Sequence, residues 1–325
     1  MADHSSETLN QRRVLVTGAS SQIGVFAIPR LLDAGFHVVA VSRQTQPAYL
    51  PKSEQLQWLT FDQAMEAQAI AGAQAEAGAQ TGVQVQVHAS TPANVSKACN
   101  YLLSAGPMSL AVQALCASNL FKQVVIFSSS SVLSKRNSSN PAEKQMIENM
   151  RAQEAELETL ASQQNLKMVI FRPTLIYGCG LDENISRLAG LIKRYGVMPV
   201  NGKASGLRQP VHADDLAQVA LNALVHKQEL PAKLLLTGGS TISYTDMVKE
   251  IFEAFKKPVR ILHVPQWLLV AAISILKLLG LAGGVSVVMV KRQMQDLEFD
   301  NSQARRLLNF QPRPFKPTRK DFELP

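Results

Sequence analysis

A short apolar run, Arg13 to Thr17, passes through Gly18-Ala19-Ser20-Ser21-Gln22-Ile23-Gly24 into an apolar-periodic stretch from about Gln22 to Ala34. Gly35 closes that stretch, and a second apolar run, Phe36 to Val41, follows. Strand, tight turn, helix and strand within about thirty residues form the crossover unit of a parallel sheet, and no other feature narrows the fold as much. Gly18 permits the sharp turn, Gly24 lets helix and strand approach closely, and the helix start offers unpaired N–H groups to a diphosphate. At the central position, where glycine usually lets the backbone reach the pyrophosphate, stands Ser21 with Gln22 beside it. The loop must therefore adapt around two side chains.

Further buried strands are expected at Leu56 to Leu59, Val83 to Val87, Val124 to Phe127 and Met168 to Phe171, with helical stretches between most of them. This alternation predicts an α/β fold with a doubly wound parallel Rossmann sheet. Residues 63–82, rich in Ala, Gln and Gly, read as a loosely packed helix or a variable connection. After Phe171, Pro173, Gly178, Gly180, Pro199, Gly202, Gly206 and Pro210 punctuate the chain around one helix near Asn184 to Tyr195. A chain of 325 residues, 46% hydrophobic, is large enough to divide in two. The expected division is a Rossmann domain over 1–175, returning for a strand and helix near 210–238, and a smaller, mostly helical substrate lobe over 176–325.

The net charge of +8 is compatible with an anionic partner, whether nucleic acid, membrane lipid or a phosphorylated small molecule, but no Lys/Arg run is long enough for a nucleic-acid patch and aromatics are only 6%. Phosphate-bearing small ligands account for the sign equally well. Cys99, Cys116 and Cys179 lie far apart without metal-ligand spacing, so buried reduced thiols and no metal site are expected. The polar start of the chain lacks a secretory pattern, and a cytoplasmic location follows. From Trp267 to Val290 the chain is almost entirely apolar, but Lys277, Gly280, Gly283 and Gly284 break it. It reads as packed helices of the second lobe, with membrane contact the less favoured alternative.

The end of the second strand should carry a carboxylate if the 2′-hydroxyl of NAD is to be gripped, and Ser42-Arg43 stands there instead. An arginine suits a 2′-phosphate, so NADP is preferred over NAD. Gly18, Ser20, Ser21, Gln22, Ile23, Gly24, Ser42 and Arg43 are thus candidate cofactor contacts.

Taken together, four blocks resemble the extended short-chain dehydrogenase/reductase family, in its NAD-dependent epimerase/dehydratase, nucleoside-diphosphate-sugar epimerase-like branch. They are Thr17 to Gly24, Phe127-Ser128-Ser129-Ser130-Ser131-Val132, Phe171-Arg172-Pro173-Thr174-Leu175-Ile176-Tyr177-Gly178, and Gln209 to Ala217. The resemblance implies that Asp62 meets the adenine, that His88-Ala89-Ser90 passes beneath the nicotinamide ribose, and that Ser128, Arg172 and Pro173 line the cofactor site. It also implies that Ser130 is the catalytic hydroxyl and that Asn184 and Arg208 hold the diphosphate of a nucleotide-sugar substrate. Family members often dimerise through two helices of the nucleotide-binding domain, so a homodimer is implied too. Bland readings stand beside these. Asp62 and Asn184 can cap helices, and His212-Ala213-Asp214-Asp215 reads first as an N-cap.

The family's tyrosine, with a lysine four residues later, is missing. Tyr49, Tyr101, Tyr177, Tyr195 and Tyr244 are followed at that position by Ser53, Ala105, Leu181, Pro199 and Val248. Glu148 and Ala152 take the aligned positions, with Glu148 more naturally a solvated helix residue and Glu143-Lys144 a weaker acid/base pair. Two functions follow: an atypical NAD(P)-dependent oxidoreductase or epimerase acting on a nucleotide sugar or related carbonyl compound, and a non-catalytic NADP-binding or redox-sensing protein.

Overall fold

The computed structural model describes residues 12–80, 98–278 and 287–324. Strands β1 (Arg13–Thr17), β2 (His37–Val41), β3 (Leu56–Leu59), β4 (Tyr101–Ser104), β5 (Gln123–Phe127) and β6 (Lys167–Pro173) alternate with helices α1 (Gln22–Asp33), α2 (Phe61–Gln80), α3 (Met108–Ala117), α4 (Ser131–Ser134) and α5 (Pro141–Gln163). Short strands β7 (Ile176–Tyr177), β8 (Met198–Asn201), β9 (Leu207–Arg208) and β10 (Val211–His212) follow, with α6 (Ile185–Tyr195) after β7 and α7 (Ala213–Leu224) after β10. Strand β11 (Lys233–Leu236) then returns to the main sheet. Among the described residues that sheet has seven strands in the order β11-β6-β5-β4-β1-β2-β3, every neighbouring pair parallel.

Period-two alternation divides each strand between two cores. Val14, Val16, Leu103 and Val125 face Ile28 and Leu31 of α1 and Ala220 and Leu224 of α7. Leu15, Leu102, Val124 and Ile126 face Ala111 and Leu115 of α3 and Leu157 of α5. A parallel sheet covered on both faces needs apolar residues at every position, which is why its strands read as unbroken apolar runs. Cutting a fully buried leucine such as Leu102 to alanine would cost about 2–5 kcal/mol.

The strand beside β1 is β4, which the sequence reading did not expect. The expected strand at Val83 to Val87 lies outside the described residues. Residues 61–80 are helical, one of the two readings open for that stretch. Cys99 and Cys179 are buried as free thiols, whereas Cys116 is exposed on α3, against the expectation of three buried thiols.

Beyond Pro173 a third core gathers Tyr177, Ile185, Ile192, Val200, Val248 and Phe252. Helix α8 (Tyr244–Ala254) and strands β12 (Ile242–Ser243) and β13 (Ile261–Val264) enclose it, the latter pairing with β9 and β8. Helices α9 (Gln266–Leu278) and α10 (Val287–Arg292) come next, then α11 (Ser302–Leu308) against the main sheet. The closing segment straps back across both lobes. Arg313 pairs with Asp214 and Asp215, the Phe315 ring packs against Tyr177, and Asp321 accepts from His212.

Candidate functional site

The sheet order reverses between β1 and β4, and at such a switch point the ends of two adjacent strands diverge and leave a crevice. Gly18 opens the turn with φ +70°, a left-handed conformation. A Cβ there would lie 2.4 Å from the amide nitrogen of Gly106, just beyond β4. At Gly24 a Cβ would meet the carbonyls of Gly18 and Ala19 at 2.5 Å, so helix and turn touch backbone to backbone. Ser21 answers the question raised by its side chain. It is the N-cap of α1, its Oγ accepting from Gly24 N at 3.1 Å. The amides of Gln22 and Ile23 then donate to no group among the described residues. Gln22 Oε1 is buried and also without a partner. Two free donors at a helix start fit an anionic group in the crevice, whereas the buried Gln22 Oε1, an acceptor, calls for a donor instead.

The far wall is the end of β4, Ser104-Ala105-Gly106. Ala105 N donates to Thr17 O at 2.9 Å, and Thr17 Oγ1 donates to Ser104 Oγ at 2.9 Å. These residues escaped the sequence reading. His88-Ala89-Ser90, expected from the resemblance to pass beneath the nicotinamide ribose, lies outside the described residues. On the β2 side Ser42 Oγ and Ser20 Oγ are 3.0 Å apart, and Arg43 is exposed. Asp62 is exposed in the first turn of α2 and does not cap it, since Thr60 and Gln63 exchange the capping bonds.

The four serines after β5 have different duties. Ser128 Oγ donates to Glu154 Oε1 at 2.6 Å, and Ser129 Oγ accepts from Ser131 N at 3.1 Å. Ser130 is buried; its amide donates to Pro173 O at 3.0 Å, while its Oγ has no hydrogen bond among the described residues. Ser130 and Pro173 thus meet at adjacent strand ends. Arg172 turns elsewhere: its Nε donates to Glu154 Oε1 at 3.0 Å and its Nη2 to Oε2. Glu154, 2% exposed on α5, therefore gathers Ser128 and Arg172. Burial alone would raise its pKa, but the hydrogen bonds from Arg172 and Ser128 outweigh it and hold the carboxyl below the usual range.

The face of α5 turned to the sheet carries Ile147, Met150, Glu154, Leu157 and Ala161, with no tyrosine or lysine. Glu148 is exposed beside Lys144 on the solvent side. Glu143 pairs across the lobes with Arg292 of α10, whose hydrogen bonds hold its pKa down at about 2. It serves as an inter-lobe ion pair.

Asn184 is exposed at the start of α6, where Asp182 does the capping by accepting from Asn184 N and Ser186 N. Arg208 is buried, its guanidinium donating to the carbonyls of Leu207 and Gln295 at 2.7 Å and of Arg292 at 2.5 Å, beside the Tyr244 ring. Burial lowers its pKa. Its donors are thus committed to backbone carbonyls. His212 caps α7: Nδ1 accepts from Asp214 N at 3.0 Å, leaving Nε2–H to donate to Asp321 Oδ1 at 3.1 Å. Among the described residues no group of three His, Cys, Asp or Glu side chains could hold a metal ion.

A seven-stranded parallel sheet with helices on both faces, and a glycine turn feeding a helix at the switch point, defines a Rossmann-type α/β fold. The chain belongs to the NAD dependent epimerase/dehydratase family, whose sequence pattern matches residues 14–235. It is 28% identical over 159 residues to the UDP-glucose 4-epimerase of Vibrio cholerae, a match spanning 49% of this chain and 46% of that protein, so the likeness covers about half of that relative's length. In fold it is similar to the UDP-glucuronic acid 4-epimerase of Bacillus cereus, solved with UDP-glucuronic acid and NAD, at 16% identity and a TM-score of 0.62 over 92% of this chain and 94% of that one. The UDP-glucose 4-epimerase of Thermotoga maritima, solved with UDP-glucose, is similar at 13% identity and a TM-score of 0.62 over 92% and 93%. An epimerase of Methanothermobacter thermautotrophicus is similar at 14% identity and a TM-score of 0.64 over 96% and 89%.

Proposed function

We propose that this chain binds an NAD(P) dinucleotide at the β1/β4 crevice and acts as an atypical oxidoreductase or epimerase on a nucleotide sugar or a related carbonyl compound. One observation carries the reading: the amides of Gln22 and Ile23, at the start of the helix that follows β1, donate to no described group beside the β1/β4 switch point. Gly18 and Gly24 hold the turn, and the amides of Gln22 and Ile23 receive the diphosphate. Ser42 and Arg43 meet the adenosine ribose, with Arg43 favouring the 2′-phosphate of NADP. Bound there, the nicotinamide supplies hydride exchange. The free hydroxyl of Ser130 hydrogen-bonds the substrate oxygen as its charge changes. On the substrate side Asn184 is exposed and available to the diphosphate, whereas the donors of Arg208 are already used by backbone carbonyls. UDP sugars, which the B. cereus and T. maritima epimerases hold, are the substrates to try first.

The bare face of α5 favours a second reading, in which the dinucleotide binds without turnover. Calorimetry with NADPH and NADH, followed by assays with a panel of UDP sugars, separates the two. Tighter NADPH binding and turnover that falls on Ser130→Ala support the first reading. Binding without turnover selects the second, and absence of heat with either nucleotide removes both.

A further inference from the structure

From Ala254 to Gln295 the sequence holds no Asp or Glu but six basic residues, Lys256, Lys257, Arg260, Lys277, Lys291 and Arg292. The structure adds an inverted helix to this. A surface helix normally turns its apolar stripe inward. In α9 only Ile273 is buried among the side chains described, while Trp267, Leu268, Ala271, Ala272, Ser274 and Ile275 form one exposed arc. Trp267 is 72% exposed and Ile275 59%. Exposed Leu262 of β13 precedes the helix, and exposed Met289 lies on α10, which packs on α9. The one hydroxyl on the arc, Ser274 Oγ, donates to Val270 O at 2.9 Å, so its hydrogen-bonding need is met within the helix.

Two of the cations near this face are used internally. Arg292 pairs with Glu143, and Lys257 Nζ donates to the carbonyls of Ile192 and Lys193. Lys256, Arg260 and Lys291 are exposed and have no ion pair among the described residues. An apolar arc with a tryptophan at one end, joined by Leu262 and Met289 with the unpaired Arg260 and Lys291 two residues from each, matches the boundary between acyl chains and anionic headgroups. Helix α9 has 13 residues, and no described helix is long and apolar enough to cross a bilayer. A second copy of the chain is a poor occupant, because a two-fold contact would bring Arg260 and Lys291, which have no ion pair among the described residues, toward like charges.

We propose that the face formed by α9, with Leu262 and Met289, docks in the plane of an anionic lipid bilayer. The test is flotation of the purified full-length protein with phosphatidylcholine vesicles and with mixed phosphatidylcholine–phosphatidylglycerol vesicles. The protein floats with the mixed vesicles, less so as salt rises, and Trp267→Ser with Ile275→Ser lowers the partition at least about tenfold. Arg260→Glu with Lys291→Glu removes the preference for anionic lipid. In a Trp58→Phe background, Trp267 fluorescence shifts to the blue on adding mixed vesicles, a readout independent of the serine variants. Wild-type protein that stays at the bottom with both vesicles overturns the proposal, as does a double serine variant that floats like wild type. Light scattering showing a dimer that Trp267→Ser dissolves, without flotation, assigns the face to a second copy and also overturns it.

Discussion

Glu154 offers the sharpest test of how the strand ends are held. Its carboxylate takes Ser128 Oγ at 2.6 Å and two donors of Arg172, with side-chain exposures of 2% and 14% for the ion pair. Glu154→Gln keeps the shape but removes the charge, leaving a guanidinium buried without its counter-ion, a loss of about 3–5 kcal/mol. Unfolding entropy of about 2.1 cal/mol/K per residue gives about 0.7 kcal/mol/K for 325 residues. The melting temperature should therefore fall by about 4–7 °C in scanning calorimetry at neutral pH. Replacing both partners, Glu154→Leu with Arg172→Leu, removes the stranded charge and should recover much of that loss. A glutamine variant melting within about 1 °C of wild type, or a double variant no more stable than the single one, would refute the reasoning.

Glu143, held at about 2 by Arg292, contributes stability that is fully present above its unfolded pKa and is lost as pH falls through about 2. Urea titrations from pH 5 to pH 2 should show wild type losing more stability than Glu143→Gln, by about 1 kcal/mol once solvent screening of the ion pair is allowed for. Gly18→Ala puts a Cβ against Gly106 at a left-handed φ; it should cost about 1–3 kcal/mol and weaken NADPH binding about tenfold, read by calorimetry. Arg208→Lys cannot reach all three carbonyls and should cost about 2–3 kcal/mol in urea unfolding.

Much of the first lobe was readable because β1, β2, β5 and β6 are largely apolar runs that a parallel sheet buries on both faces, while β3, Leu56-Gln57-Trp58-Leu59, is a half-buried strand at the edge. Strands β1, β2, β3, β5 and β6 fall where those segments lie. Strand β4 was not legible because Tyr101 to Ser104 is short and ends on a polar residue after the polar 88–100, whereas Val83 to Val87 shows the stronger strand-like alternation. The turn at Gly18 was readable from spacing, but the N-cap role of Ser21 depends on where its Oγ points. The Glu154 contacts with Ser128 and Arg172 span 26 and 18 residues, and only the crossing of α5 over the strand ends brings them together. One signal was available: a single carboxylate in the otherwise apolar Ile147, Met150, Glu154, Leu157, Ala161 stripe. In α9 nearly every position is apolar, so no pattern could say which side faces out.

The strap from Arg313 to Asp321 gives the molecule an order of assembly. Its clamps reach back 98 and 109 residues, to Asp215 and His212, across sequence that must already be in place. During synthesis the parallel layers can pack from their N-terminal end onward, while the junction between lobes waits for the last pieces to arrive. A stalled or prematurely ended chain would thus hold a finished sheet beside an unlatched second half, with Tyr177 deprived of the ring that covers it.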